Sequence, residues 1–166
     1  YTEQVDIPAI SGQSAANTIT FDGGNPLTTQ LRFACTGFTP GNYVLRFNGT
    51  NYVTFRNLAI SNTTNTSTSS NILVFNSTNI RIVKCMIGDN NTTPGSVSGQ
   101  SSTASLYRIA LTGNATNPGT ASVVNHNIFI DSNIINFGYY GIWSAGNLPT
   151  AKIYTTNNIF NGQYLY

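Results

Sequence analysis

The sequence predicts an all-β chain, a right-handed parallel β-helix (solenoid) of about five to six coils, each roughly 25 residues long. Three observations carry this. One eight-residue template of alternating apolar residues recurs four times. Its copies are spaced by about one coil or two, the signature of a repeat architecture. Only 7 % of the 166 residues are charged, with one Glu (Glu3) and two Lys (Lys84, Lys152). An average globular protein carries roughly a quarter charged residues. Helices built on Glu–Lys pairs are therefore excluded.

Residues 1–42 read as one or more irregular first coils. The runs NTITF (17–21) and LRFAC (31–35) are strand-like, and DGGNP (22–26) supplies turn chemistry between them. Regular coils begin at residue 43 with YVLRF (43–47), and NILVF (71–75), YRIAL (107–111) and YGIWS (140–144) are runs of the same kind. Each precedes a copy of the template: NYVTFRNLAI (51–60), NIRIVKCMI (79–87), NIFIDSNII (127–135) and KIYTTNNIF (152–160). The first apolar column is Val53, Ile80, Ile128 and Ile153, and the second is Phe55, Ile82, Ile130 and Thr155. After a tight bend come Leu58, Cys85, Asn133 and Asn158, and then Ile60, Ile87, Ile135 and Phe160. Each unit thus has three short strands and no helix. β-Branched residues at the inward positions suit a pleated, buried surface.

First-column spacings are 27, 48 and 25 residues. The long interval marks one coil enlarged by two inserted loops, 88–105 and 112–122, and such loops often carry specific function. At the bends, Asn57 with Asn157, and Asn133 with Asn158, are expected to stack as amide ladders. A buried amide without such partners costs about 1–3 kcal/mol. An antiparallel sandwich would also give short strands, but it calls for two-residue Asn-Gly hairpins. Only Asn48-Gly49 and Asn161-Gly162 occur, and most gaps are too long.

Asn, Thr and Ser (23, 23 and 15 residues) make up the polar surface in place of ions. That composition, common on extracellular surfaces, leads us to expect a secreted or cell-surface protein. The net charge of +2 comes from seven scattered bases, with no cluster to neutralise a run of phosphates, so nucleic acid is excluded as a partner. No apolar run approaches the roughly 18 residues of a membrane span. The sequence opens at Tyr1 without an initiator Met or signal-like region and reads as a segment of a longer or processed protein. Cys35 and Cys85 do not make a disulfide framework; buried free thiols are expected over a bridge between them. Seven N-x-[ST] sequons say little at this Asn and Thr content.

Catalytic chemistry has few footholds. The acids are Glu3, Asp6, Asp22, Asp89 and Asp131, and the sole histidine, His126, has no nucleophile or carboxylate signature beside it. No metal-ligand spacing is visible and no cofactor is expected. The best-placed candidates are Arg56, Lys84 and Asp131, read as one outward column with Thr156 last, with an Asp131–Lys84 pair between rungs. Among aromatics, Tyr139, Tyr140 and Trp143 cluster, and Tyr154, Tyr164 and Tyr166 follow. Tyr and Trp present apolar faces and a polar handle, so Tyr139, Tyr140 and Trp143 are the expected glycan contacts. Thr-x-Thr pairs do not recur once per rung, which excludes an ice-binding array.

On these motifs, the chain resembles the secreted right-handed parallel β-helix (pectin-lyase-like) repeat proteins of the Bacteroidetes type. The segments YTEQVDIPAISGQSAANTITFDGG (1–24) and YVLRFNGTNYVTFRNLAIS (43–61) look like the opening of their repeat. The resemblance covers nearly the whole chain. It implies the fold and an extracellular setting, but the fold is shared by pectate lyases, polygalacturonases, other polysaccharide lyases and epimerases, and by non-enzymatic adhesins and stalks. Two expectations follow. The first is an extracellular structural or adhesive module that binds glycans or associates end to end with its own kind or with the rest of a longer chain. The second is a carbohydrate-active lyase, hydrolase or epimerase with its groove along the outward column.

Overall fold

The computed structural model describes residues 1–36, 41–64, 69–88, 106–114, 125–145 and 151–163. They form five coils of three strands. The first is β1 (Val5–Pro8), β2 (Ile19–Asp22) and β3 (Gln30–Phe33); the second is β4 (Tyr43–Asn48), β5 (Val53–Arg56) and β6 (Ala59–Asn62). The third is β7 (Ser69–Phe75), β8 (Arg81–Val83) and β9 (Met86–Ile87), and the fourth is β10 (Leu106–Thr112), β11 (Ile128–Asp131) and β12 (Ile134–Asn136). The fifth is β13 (Tyr140–Ser144), β14 (Ile153–Thr156) and β15 (Ile159–Asn161).

Equivalent strands stack into three five-stranded parallel sheets: β1-β4-β7-β10-β13, β2-β5-β8-β11-β14 and β3-β6-β9-β12-β15. These are called the first, second and third sheets. The chain is a parallel β-helix. Residues 1–42 hold one full coil, and VDIP (β1) is a strand of it. The inserted loops 88–105 and 112–122 fall largely outside the described residues.

Register follows the apolar template. Ile128 pairs with Ile153, Ile130 with Ile82, and Phe55 with both Phe21 and Ile82. The pairing of Phe129 with Arg81 sets Ile80 beside Ile128. In β5 the burial alternates: Val53 and Phe55 point in, Thr54 and Arg56 out. The core is therefore a set of columns running along the axis, like on like at rungs about 4.8 Å apart. Ile60, Ile72, Ile82, Ile109 and Ile130 are wholly buried, each contributing about 1.5–3 kcal/mol over exposure.

The bends explain why the template works. Between the second and third sheets the chain turns on one left-handed residue in each coil from the second to the fifth: Asn57, Lys84, Ser132 and Asn157. A second left-handed series, Tyr52, Asn79 and Asn127, precedes the second-sheet strands. One such residue redirects the backbone in the space of a single position, so the strands on either side keep their alternation.

β7 and β10 are buried on both faces. Outward-facing Leu73 and Ala110 are 0 % exposed and pack with Tyr43 and Tyr107 in a second apolar cluster outside the first sheet. Among the described residues, the exposed large apolar side chains (Tyr1, Ile10, Phe21, Leu27, Tyr154, Ile159, Phe160) all belong to the first and fifth coils. No helix is long and apolar enough to cross a membrane among the described residues.

Candidate functional site

The outward column of the second sheet is Asp22, Arg56, Val83, Asp131 and Thr156. Lys84 is not in it. The position belongs to Val83, and Lys84 occupies the left-handed bend one residue later, with φ of 53°. The expected Asp131–Lys84 pair is replaced by other contacts. The Asp131 carboxylate accepts hydrogen bonds from the Thr156 hydroxyl, from Asn157 Nδ2 at 3.0 Å and from Ser132 Oγ at 3.1 Å. These donors, Thr156 foremost, lower its pKa.

Asp22 is held in the same way. Asn57 Nδ2 (2.9 Å), the Gly24 amide (2.9 Å) and Arg56 Nε (2.8 Å) all donate to it, and its pKa is lowered, by Asn57 first. Asp6, outside the first sheet, takes a two-pronged contact from Arg46 (2.9 and 2.8 Å) and a hydrogen bond from Asn48 (3.2 Å). The Arg46 guanidinium is the leading cause of its lowered pKa. Each of these carboxylates stays ionised and ties one rung to the next. Asp22 and Asp131 lie three rungs apart, about 14 Å at the rung spacing. A glycosidase pair works at about 5 to 9.5 Å. The column does not assemble that pair.

The amide ladder is present where Asn133 and Asn158 meet. Asn133 is 0 % exposed; its Oδ1 accepts the Cys85 amide (2.9 Å), and its Nδ2 donates to Ile82 O (2.9 Å) and Asn158 Oδ1 (3.0 Å). Asn57 and Asn157 do not stack on each other, since the bends of Lys84 and Ser132 stand between them. Each instead bonds an aspartate one rung back. A second ladder, not foreseen, joins Asn79 to Asn51 (2.9 Å) and Asn127 to Asn79 (3.1 Å). The Asn opening three of the four template copies was its signal.

Tyr139, Tyr140 and Trp143 do come together. Tyr139 meets Tyr140 edge-on (4.8 Å between ring centroids), Tyr140 stacks on Tyr107 (5.4 Å) and Trp143 lies 4.7 Å from Tyr140. Tyr139 is buried, and Tyr140 and Trp143 are half-buried against the apolar cluster outside the first sheet. Much of their surface is thus spent on one another. Tyr154 stacks on Phe129 (4.6 Å, planes within 7°), and Arg81 caps Phe129 at 4.9 Å, an outward column that periodicity alone did not mark. Tyr164 and Tyr166 lie outside the described residues. His126 is half-buried in an isolated bridge to Thr78. Cys35 and Cys85 are buried thiols with no disulfide between them, and burial pushes them up to about 12 and about 11.

Buried Arg108 was missed by the sequence reading. Its Nε donates to Phe137 O (2.8 Å) and its Nη1 to Asn71 Oδ1 (2.9 Å). Gly88 and Gly138, both at positive φ, make room for it: a Cβ on Gly138 would lie 2.8 Å from Arg108 Nε.

Of the concave sites beside the first coil, two lie against the sheets. One, of about 350 Å³, is lined by apolar Val5, Phe21, Leu31, Phe55 and Leu58, with Glu3 and Asp22. The other, of about 210 Å³, lies on the outward face of the third sheet between Leu27, Gln30, Arg32, Ala59, Ser61 and Met86. Among the described residues no cluster of His, Cys, Asp or Glu is set to hold a metal ion. No family model, curated protein or solved structure matches the chain.

Proposed function

We propose that the chain is an extracellular structural and adhesive module, a β-helix whose coils supply stiffness and whose outer faces meet glycans. The observation that carries this reading is the use of the acids. Asp6, Asp22 and Asp131 each spend their carboxylates on donors from the neighbouring rung. Groups so engaged, with lowered pKa, are poor proton donors and weak bases at neutral pH. The resemblance to secreted β-helix repeat proteins and the amide- and hydroxyl-rich surface support the extracellular setting. Exposed apolar residues in the first and fifth coils support end-to-end stacking, on further copies or on the rest of a longer chain.

The test is incubation with a panel of uronic-acid and neutral polysaccharides, with and without calcium. The expected outcome is retention on one or more glycans with no unsaturated ends and no shortened chains. Product formation would replace this reading with a lyase or hydrolase. Sedimentation over a concentration series checks association between copies, and a monomer at every concentration would remove it.

A further inference from the structure

The two Asn-Gly pairs of the chain, Asn48-Gly49 and Asn161-Gly162, stand at corners of the solenoid, each with its glycine in the left-handed region (φ of 68° and 67°). Such a pair carries its own chemistry. Glycine has no Cβ to shield its amide nitrogen, so that nitrogen can reach Cγ of the asparagine before it. The attack needs an N–H that can be given up and a peptide plane that can turn. What the glycine amide is bonded to decides both.

At Asn48 the corner is closed. The Gly49 amide donates to Phe75 O of the next rung (2.9 Å), and Asn48 Nδ2 donates to Asp6 Oδ2 (3.2 Å). Thr50 follows at 1 % exposure, its amide on Ser77 Oγ and its hydroxyl on Gln13 Oε1, both at 3.1 Å. The attacking nitrogen, the side chain it would attack and the residue beyond are all held.

At Asn161 the nitrogen is open. Asn161 pairs with Asn136 in the third sheet, so Gly162 is the rung equivalent of Phe137. The Phe137 amide is spent on Asn161 O (2.7 Å). The Gly162 amide has no acceptor among the described residues, where no further rung stacks on the fifth coil. Asn161 and Gly162 are both exposed. Asn161 Nδ2 rests on a single bond to Asn136 Oδ1 (2.9 Å), and Gln163 Nε2 anchors the next residue to Ile135 O and Phe137 O. None of these bonds engages the Gly162 nitrogen.

We propose that Asn161 is a self-modification site of the folded chain, deamidating through a succinimide, and that Asn48 is protected by the rung beside it. The Gly162 nitrogen gives its proton to water and attacks Asn161 Cγ, forming the new C–N bond of the imide. The bond from Cγ to Nδ2 breaks, and Nδ2 takes up a proton from water and leaves as ammonia. One water then opens the ring at either carbonyl, leaving aspartate or isoaspartate. The step needs no oxidant, metal or second protein. Its product places a carboxylate on β15 and loses the donor to Asn136 Oδ1.

The experiment is incubation of the whole chain at mildly alkaline pH, folded and in guanidinium chloride past its unfolding midpoint. Peptide mapping by mass spectrometry with isoaspartate-selective detection follows both pairs over time. Unfolded, the two solvated Asn-Gly pairs react at similar rates. Folding is expected to raise the ratio of the rate at Asn161 to that at Asn48 by about tenfold or more, equivalent to about 1.4 kcal/mol of barrier. A smaller rise, a faster change at Asn48, or no change at folded Asn161 while the unfolded chain reacts each overturns the proposal. The adhesive reading is independent of it: retention or cleavage of a glycan leaves both rates as they are.

Discussion

Asn133→Ala should be among the most damaging single changes in a polar side chain of this molecule. The side chain is 0 % exposed and makes three hydrogen bonds: one from the Cys85 amide, one to Ile82 O and one to Asn158 Oδ1. The two donated bonds are worth about 1 kcal/mol net each, and stranding the buried Cys85 amide costs about 1–3 kcal/mol. The loss is therefore about 3–5 kcal/mol. For a chain of this size 1 kcal/mol moves the thermal midpoint by about 2–4 °C, so a fall of about 10 °C or more is expected. Because each rung leans on its neighbours, the fourth and third coils should loosen together.

The assay is thermal unfolding with amide hydrogen exchange, and the control is Asn133→Leu. Leu58 holds the equivalent position in the second coil, so a leucine side chain has a precedent in this column. It fills the volume but cannot accept the Cys85 amide, and should recover only part of the loss. Asn158→Ala, in the half-buried fifth coil, should cost less, about 1–2 kcal/mol, because water can replace its bonds. A loss below about 1 kcal/mol in Asn133→Ala, or unchanged protection of the Cys85 amide, would refute the ladder as a source of stability.

Ile130→Asp should be severe, since Ile130 is 0 % exposed between Ile82 and Thr155 and an unpaired carboxylate there costs several kcal/mol or forces protonation; an unchanged urea midpoint would show that the column is not core. Gly138→Ala combines a positive φ of 104° with a Cβ 2.8 Å from Arg108 Nε, and a drop of about 1–3 kcal/mol in chemical denaturation is expected. An unaltered variant would mean that the corner yields. The third expectation concerns acid. Asp6, Asp22 and Asp131 have folded pKa values below the ordinary 3.8, so their stabilisation is complete above that value and is lost as pH falls through the folded values. Thermal midpoints should be level from neutral pH down to about 5 and fall below about 4. Asp6→Asn should shrink that fall, and an equal fall in the variant would assign it to other groups.

What the sequence made legible was the inward half of the structure. Val53, Ile80, Ile128 and Ile153 share a column because apolar residues must be buried and the strand alternates with period two, so the pattern is written along the chain. Outward chemistry is written across rungs, between residues 25 to 48 positions apart, and a slip of one residue changes the partner. Lys84 shows this. Counting from inward Ile82 gives Val83 as the outward residue, whereas counting back from the Cys85 side of the bend gives Lys84. The left-handed bend breaks the alternation between the two counts. β1 was hard to see for a different reason: VDIP has one buried residue, Ile7, and ends in proline. The concave site on the third sheet was invisible because small residues such as Ala59, Ser61 and Gly88 have no periodic signature.

The bends also decide what the acids are for. A non-glycine residue in the left-handed region costs about 1–2 kcal/mol unless its side chain finds local bonds. Asn57 and Asn157 find them on Asp22 and Asp131, one rung back in each case. Lys84 and Ser132 sit at the same bend in the middle coils; Ser132 Oγ bonds the adjacent Asp131, and the inward neighbours Cys85 and Asn133 are knitted by the amide ladder. The two devices, one outside the bend and one inside it, meet in the fifth coil, where Asn157 bonds Asp131 and Asn158 bonds Asn133. Two of the five carboxylates are thereby committed to holding coils in register, and Asp6 does the same for the first sheet through Arg46. The arginines divide on the same principle. Arg46, Arg56 and Arg108 are tied into the frame by hydrogen bonds, Arg81 lies over the Phe129 ring, and the Arg32 guanidinium has no hydrogen-bond partner among the described residues.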